Sequence, residues 1–220
     1  METAEVFTTE DLKILDIGLC PYAEALEVQQ RLCADRQADK IQNTVLLTEH
    51  PPVITLGARK TDNKLIADPA ELQAAGIELI QIGRGGAATA HNPGQIVIYP
   101  ILKLKSLNLD ITDYIRQLEQ IGIDLLAELG VIAGRRKGLP GLWVENDKIA
   151  SIGVQLKKWV TLHGIAVNIN NDLSIFDYIV PCGLEDIKMT SAAQQTGSIT
   201  PVKKVKQILT RLCSRFWGGE

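Results

Sequence analysis

Only four cysteines occur in the 220 residues, and no two of them form a C-x-x-C pair. That spacing offers neither a dithiol redox motif nor a structural zinc site. The histidines, His50, His91 and His163, are equally scattered and fall at no metal-ligand interval. No apolar run approaches the ~18 residues that a bilayer span requires, and no charged-then-apolar leader precedes the first strand. A reduced, soluble, cytoplasmic protein with no membrane association is the expectation. An excess of positive charge is missing as well: 23 Lys and Arg against 26 Asp and Glu give a net charge of −3. That balance removes the overall electrostatic case for nucleic acid. Linkers, low-complexity segments and internal repeats are absent too, so residues 1–220 read as a single domain. The apolar fraction of 45% suffices for a core.

What is present is an alternation of short strands and amphipathic helices. Residues 14–17 read as a strand, followed by a helix opening at Pro21 with Tyr22, Ala25, Leu26, Leu32 and Cys33 on one face. Residues 45–48 and 53–56 are strands interrupted by His50-Pro51-Pro52, which cannot donate to a ladder and forces a turn or an edge. Gly57-Ala58-Arg59-Lys60 then ends in two cations, either a solvated turn or an anion contact. A short helix with Pro69 in its first turn ends before Gly76, and residues 77–82 and 96–99 read as further strands. Asp110 or Thr112 caps a helix to Leu129, with Ile115, Leu118, Ile121, Leu125 and Leu129 inward and Gly130 closing it. Residues 134–141, basic and glycine-rich, read as a mobile loop. Strands over 141–145, 148–157 and 159–169 follow, with Asn146-Asp147 as the first turn. Thr200 and Pro201 open a last helix facing inward through Val202, Val205, Ile208, Leu209, Leu212 and Phe216, with Cys213 beside that stripe. Several adjacent strands without a helix between them point to a mixed α/β or α+β fold.

Residues 83–95, Gly83-Arg84-Gly85-Gly86-Ala87-Ala88-Thr89-Ala90-His91-Asn92-Pro93-Gly94-Gln95, stand out between two strands. Glycine tolerates φ > 0 and lets a ligand approach the backbone. The stretch is either a long hairpin connection or a binding loop. It is not a phosphate cradle, because it matches neither G-x-G-x-x-G nor G-x-x-x-x-G-K-[ST] and a strand follows it.

Cys182 differs from the other cysteines because Pro181 and Gly183 set it in a turn rather than on a helix face. A turn cysteine can present its sulfur to a pocket, or be inert. By strand alternation Lys148 shares a face with Ala150, Ile152, Val154 and Leu156. An ammonium on an apolar face is partly desolvated, which favours its neutral form and suits it to proton transfer. Otherwise it ends the strand and snorkels to water. His163 is a core histidine or a catalytic one, and His50, beside two prolines, is structural. Basic clusters at Arg135-Arg136-Lys137, Lys157-Lys158 and Lys203-Lys204 with Lys206 are solvated faces or a dock for an acidic protein.

Four blocks together resemble the octanoyl–acyl-carrier-protein:protein N-octanoyltransferase family. They are Glu49-His50-Pro51-Pro52 to Leu56-Gly57; Arg84-Gly85-Gly86 with Thr89, His91, Pro93-Gly94-Gln95 and Tyr99-Pro100; Lys148-Ile149-Ala150-Ser151-Ile152-Gly153; and His163-Gly164 through Asn168, Phe176, Pro181-Cys182-Gly183 and Thr190-Ser191. The resemblance implies a biotin/lipoate ligase-like catalytic fold and an acyltransferase with a Cys182/Lys148 dyad. Cys182 would take an octanoyl group from acyl carrier protein as a thioester, and Lys148 would move the protons. The turn's backbone N–H groups, with Gly183, would steady the oxyanion. Acceptors would be lysines of the lipoyl domains of 2-oxoacid dehydrogenases and of the glycine cleavage H protein, with no metal, nucleotide or redox cofactor. Arg84, Gly85, Gly86, Thr89, Ala90, His91, Ser151, Ile152, Gly153, His163, Gly164 and Ala166 would form the substrate site. Where the family usually carries tyrosine and glycine around the loop histidine, this chain has Ala90 and Asn92; the lost aromatic ring at Ala90 would open space in the acyl pocket, Ala87-Ala88 are likewise small, and Asn92 tolerates left-handed backbone better than most residues. An ATP-dependent lipoate or biotin ligase of the same fold, or a non-catalytic carrier-binding relative, is the alternative.

Overall fold

In a computed structural model, which describes residues 4–58, 63–181 and 187–219, the chain runs as follows. The first part comprises β1 (Ala4–Thr8), β2 (Leu12–Leu19), α1 (Tyr22–Gln37), β3 (Asn43–Glu49), β4 (Val53–Leu56), α2 (Pro69–Ala74), β5 (Glu78–Gln81) and β6 (Thr89–His91). The second comprises β7 (Gln95–Ile101), α3 (Ile111–Glu128), β8 (Gly134–Arg136), β9 (Leu139–Val144), β10 (Asp147–Lys157), β11 (Val160–Asn168), α4 (Ala192–Thr196) and α5 (Val202–Trp217). The larger sheet has the order β1-β2-β3-β7-β11-β10-β9-β8, and the smaller β5-β4-β6. Strands β2 and β3 pair in parallel, as do β4 and β5, while the other pairs are antiparallel.

Both faces of the large sheet are covered, and for that reason its central strands read as unbroken apolar runs. In β3, Val45 and Leu47 point to the layer of α3 and α5, and Leu46 points to the α1 side. Strand β7 repeats this, with Ile96 and Ile98 on the first face and Val97 and Tyr99 on the second. The α3 cap is Asp110, whose carboxylate accepts from Asp113 N–H at 2.8 Å. Its buried stripe includes Tyr114, Leu118, Ile121, Leu125 and Leu126. Cys213 is fully buried on α5 within the same layer.

The link at His50-Pro51-Pro52 is more than a turn, because β3 belongs to the large sheet and β4 to the small one. Two residues without N–H donors end one ladder and let the chain change sheets. Residues 83–95 are likewise no hairpin connection. They contain β6, which pairs with β4 in the small sheet, and they end at β7 in the large one. Residues 134–141, expected to be a mobile loop, form the β8–β9 hairpin instead; Gly138, at φ +78°, makes its tight reversal. The turn before β10 is Glu145-Asn146, one residue earlier than expected, and Asp147 already pairs with Val144. Trp159 lies in the β10–β11 turn rather than in a strand, with Lys158 and Trp159 both at positive φ. Arg59 and Lys60 of the expected cationic turn lie outside the described residues.

Candidate functional site

A cavity of about 510 Å³ opens where the segment that joins the small sheet to the large one lies over β10 and β11. Arg84, Gly85, Gly86, Thr89 and His91 form one wall. Ser151, Ile152 and Gly153 of β10 and His163, Gly164 and Ala166 of β11 form another. Gly138, Leu139 and Pro140 of the β8–β9 hairpin and Ile115 of α3 complete it.

Ala90 is the exception among the expected binding residues. Strand β6 alternates, so Thr89 and His91 face the cavity while Ala90 packs with Ile54, Leu72 and Phe176 at zero exposure. Its small side chain therefore does not enlarge the cavity, whereas Ala87 and Ala88 of the same segment do line it.

Lys148 also lines the cavity, at 2% exposure, though not by the parity that strict alternation gives. A β-bulge between Lys148 and Ala150 sets these residues opposite Trp143 and Leu142. An extra residue on one strand inverts the alternation beyond it. Ile149 and Ala150 both turn into the core under α3, and Lys148 joins Ser151 and Gly153 at the cavity. Its Nζ donates to the Pro140 carbonyl at 3.2 Å and lies 5.3 Å from the Trp143 ring centroid. Gly141 makes the close approach possible, because a Cβ there would stand 2.8 Å from Lys148 Cε.

Arg84 is buried and its guanidinium serves the protein's own backbone. It donates to the Ala87 carbonyl (2.7 Å), to the Gly85 carbonyl (3.1 Å), and to the Thr55 carbonyl and hydroxyl (2.9 and 2.8 Å). The arginine thereby folds the glycine-rich wall onto β4. At Gly57 a Cβ would meet the Gly86 carbonyl oxygen at 1.9 Å, so here backbone packs directly on backbone.

Tyr22 and His91, which line the cavity, are stacked, and His50 packs against both at a tilt or edge-on. Tyr22 lies 5.7 Å from His91 and 5.1 Å from His50, and His50 lies 5.6 Å from His91. His50 Nδ1 lies 2.6 Å from the Cys20 carbonyl, so this nitrogen carries the proton, and Nε2 accepts from Tyr99 at 2.7 Å. His163 sits at φ +58°, with its N–H donated to Gln29 Oε1 (2.9 Å) and its ring near Tyr22. Burial pushes His50 and His163 down to about 4. Burial, with the nearby His50, takes His91 to about 3. Burial pushes Tyr22 up to about 12. All three imidazoles are neutral near pH 7.

One chain of side-chain amides connects His91 to the strand of Lys148. His91 Nδ1 donates to Gln95 Oε1 (2.7 Å), Gln95 Nε2 to Asn168 Oδ1 (2.9 Å), and Asn168 Nδ2 to the Thr190 carbonyl (2.9 Å). Thr190 N–H donates to the Lys148 carbonyl (2.9 Å) and Lys148 N–H to the Lys188 carbonyl (2.8 Å). The segment that follows Cys182 in sequence thus pairs with β10 at Lys148. Cys182 and Gly183 themselves lie outside the described residues. The other three cysteines are buried, and burial raises each thiol, Cys213 to about 12.

Gln29, Gln95 and the pair Tyr22 and Tyr99 carry much of this site, yet only Gln95 and Tyr99 stood in a motif and none was assigned a role. A buried glutamine on a helix face has no sequence signal beyond its break of the apolar stripe. Among the described residues no group of three His, Cys, Asp or Glu side chains could hold a metal ion, and no helix is long and apolar enough to cross a membrane.

The sequence profile of the lipoyl protein ligase A/B catalytic domain matches residues 21–213. An octanoyltransferase of Chloroflexus aggregans is 43% identical over 209 residues, covering 93% of this chain and 95% of its own. One from Geobacter sulfurreducens is 44% identical over 195 residues, covering 89% and 80%. In three dimensions, the crystal structure of lipoate-protein ligase A bound with ATP superimposes with a TM-score of 0.69 at 18% identity, over 94% of this chain and 84% of that one. The likeness is one of fold, and the ligase-like architecture expected from the sequence is the one observed.

Proposed function

This chain belongs to the lipoyl protein ligase A/B catalytic-domain family, with octanoyltransferases as its relatives, and from that premise we propose that it transfers an octanoyl group from acyl carrier protein to a lysine of lipoyl domains. The acceptors are the lipoyl domains of 2-oxoacid dehydrogenases and the glycine cleavage H protein, and the reaction takes place in the cytoplasm. The observation that carries the reading is Lys148 in the wall of a 510 Å³ cavity, paired through its backbone with the segment that follows Cys182.

In the first half-reaction Lys148 accepts the Cys182 thiol proton and the thiolate attacks the thioester carbonyl carbon. The carbon–sulfur bond to the carrier breaks, and Lys148 returns the proton to the departing thiolate. In the second, the acceptor amine attacks the acyl-enzyme and Lys148 takes its proton. Cys182 then leaves as thiolate and is reprotonated by Lys148. Thioester exchange is nearly isoenergetic, and the final amide is the more stable product. Arg84, Gly85, Gly86, Thr89 and His91 bound the acyl group on one side, and Ser151, Ile152, Gly153, His163, Gly164 and Ala166 on the other. Arg84 shapes the wall, since its two terminal guanidinium nitrogens donate to backbone carbonyls and to Thr55. Cys182 is preferred over the other cysteines because those are buried with raised thiols.

The test is to incubate the protein with octanoyl-carrier protein without ATP and record its intact mass. An octanoyl adduct that hydroxylamine removes and Cys182→Ala abolishes is expected. Lipoyl-domain modification that needs ATP and leaves no adduct would replace this reading with a ligase.

A further inference from the structure

We propose that Asn168 is a positioning residue for this transfer, its side-chain amide holding the segment after Cys182 in register with Lys148. The inference rests on the chemistry proposed above. Asn168 is the last residue of β11 and is 1% exposed. Its Oδ1 accepts from Gln95 Nε2 at 2.9 Å and from Asn171 Nδ2 at 3.3 Å, and its Nδ2 donates to the Thr190 carbonyl at 2.9 Å. A carbonyl can only accept, so the amide is fixed with its nitrogen toward Thr190.

Among the described residues the segment at Thr190 meets β10 in a single parallel bridge, Lys148 opposite Met189. Two backbone hydrogen bonds make that bridge. These two bonds tie Lys148 to the returning chain, and Asn168 holds the same chain at Thr190 from the neighbouring strand β11. Through Gln95 the same amide also reaches His91 on the opposite wall. One buried unit accordingly sets the spacing of both walls, and buried amides of this kind hold geometry because leaving them unpaired is costly.

Asn168→Asp tests this with a change of one atom. The ionisable members of the network are His91, reached through Gln95, and Lys148, reached through Thr190. A protonated Asp can still donate to the Thr190 carbonyl, whereas its carboxylate faces that oxygen with a lone pair. Burial keeps such a carboxyl protonated above the ordinary range, so its titration falls within an accessible window. For Asn168→Asp, kcat with octanoyl-carrier protein should fall by about tenfold or more as pH rises between 6.5 and 9, with KM within about twofold. The wild type should lack that step, and Asn168→Ala should be slow at every pH. Profiles of Asn168→Asp and wild type that superimpose, or a change in KM alone, overturn the inference. Should Asn168→Asp fail to fold, Asn168→Ser must show the same loss confined to kcat, and a wild-type kcat there overturns it equally. A wild-type protein without octanoyl transfer sinks the functional reading and this inference with it; an active wild type with superimposed profiles sinks the inference alone.

Discussion

At Gly141 a Cβ would come within 2.4 Å of the Ala150 carbonyl oxygen and 2.8 Å of Lys148 Cε, at a φ of +120° that L side chains rarely adopt. Backbone of β10 and the aliphatic end of Lys148 already fill the space that a Cβ would need, so a side chain there displaces the strand or the ammonium. Gly141→Ala is therefore expected to destabilise by about 1–3 kcal/mol in urea unfolding and to slow transfer, since the lysine must shift. Lys148→Ala should leave the fold intact and slow acyl transfer by about 10²–10⁴ in single-turnover assays; unchanged rates would remove Lys148 from the mechanism. The lysine was legible in the sequence as a cation on a strand, but its face was not. Alternation presumes one residue opposite one, and the bulge at 148–150 breaks that count through backbone pairing with β9, a partner invisible in the local pattern. Ala90 teaches the converse. Its neighbours in sequence pointed to the cavity, and the same alternation, once β6 exists, turns it into the small core.

Elements whose cause is local were readable, and those whose cause is a distant partner were not. The α3 helix announces itself through Asp110, its apolar stripe and Gly130; the structure keeps the cap, the glycine and Leu118, Ile121 and Leu125 of the stripe, while Ile115 turns to the cavity and Tyr114 and Leu126 join the core. Asp110→Ala should cost about 1 kcal/mol, read as a lower urea midpoint with acyl transfer unchanged, because it exposes helix N–H groups at a residue that does not line the cavity. By contrast β6 has three residues and exists only because β4 offers it an edge. The β8–β9 hairpin hides behind a composition of Arg, Lys and Gly that reads as loop. Its cations find partners within the fold: Arg135 pairs with Glu119 at 2.8 Å, and Arg136 lies over the Trp143 ring. Lys206 of the last cluster pairs with Asp16 at 2.7 Å. These contacts account for part of the charge that the sequence left open as a dock.

At the scale of the molecule the cavity is a seam between two sheets, closed beneath by histidines from different parts of the chain. His91 comes from the small sheet, His163 from the large one, and His50 from the link that carries the chain between them. Each is buried and neutral, His50 and His163 held at about 4 and His91 at about 3, against 6.5 for an unburied imidazole. Below pH 6.5 the unfolded chain takes up these protons and the folded chain does not. Its stability is therefore complete above that pH and declines as pH falls toward 4, with a steepest slope of about 1.4 kcal/mol per pH unit for each histidine. For a protein with ~5–15 kcal/mol in hand, three such groups are enough to open the seam in mild acid. Between pH 7 and 5, above the range in which most carboxylates titrate, the urea midpoint should fall steadily, and His91→Gln should flatten that fall by about one third. A midpoint that stays constant over this interval would mean that the three rings are not held neutral by burial. Because two of these rings, His91 and His163, line the cavity, octanoyl transfer should be lost along with stability, and return on neutralisation if only the seam has opened.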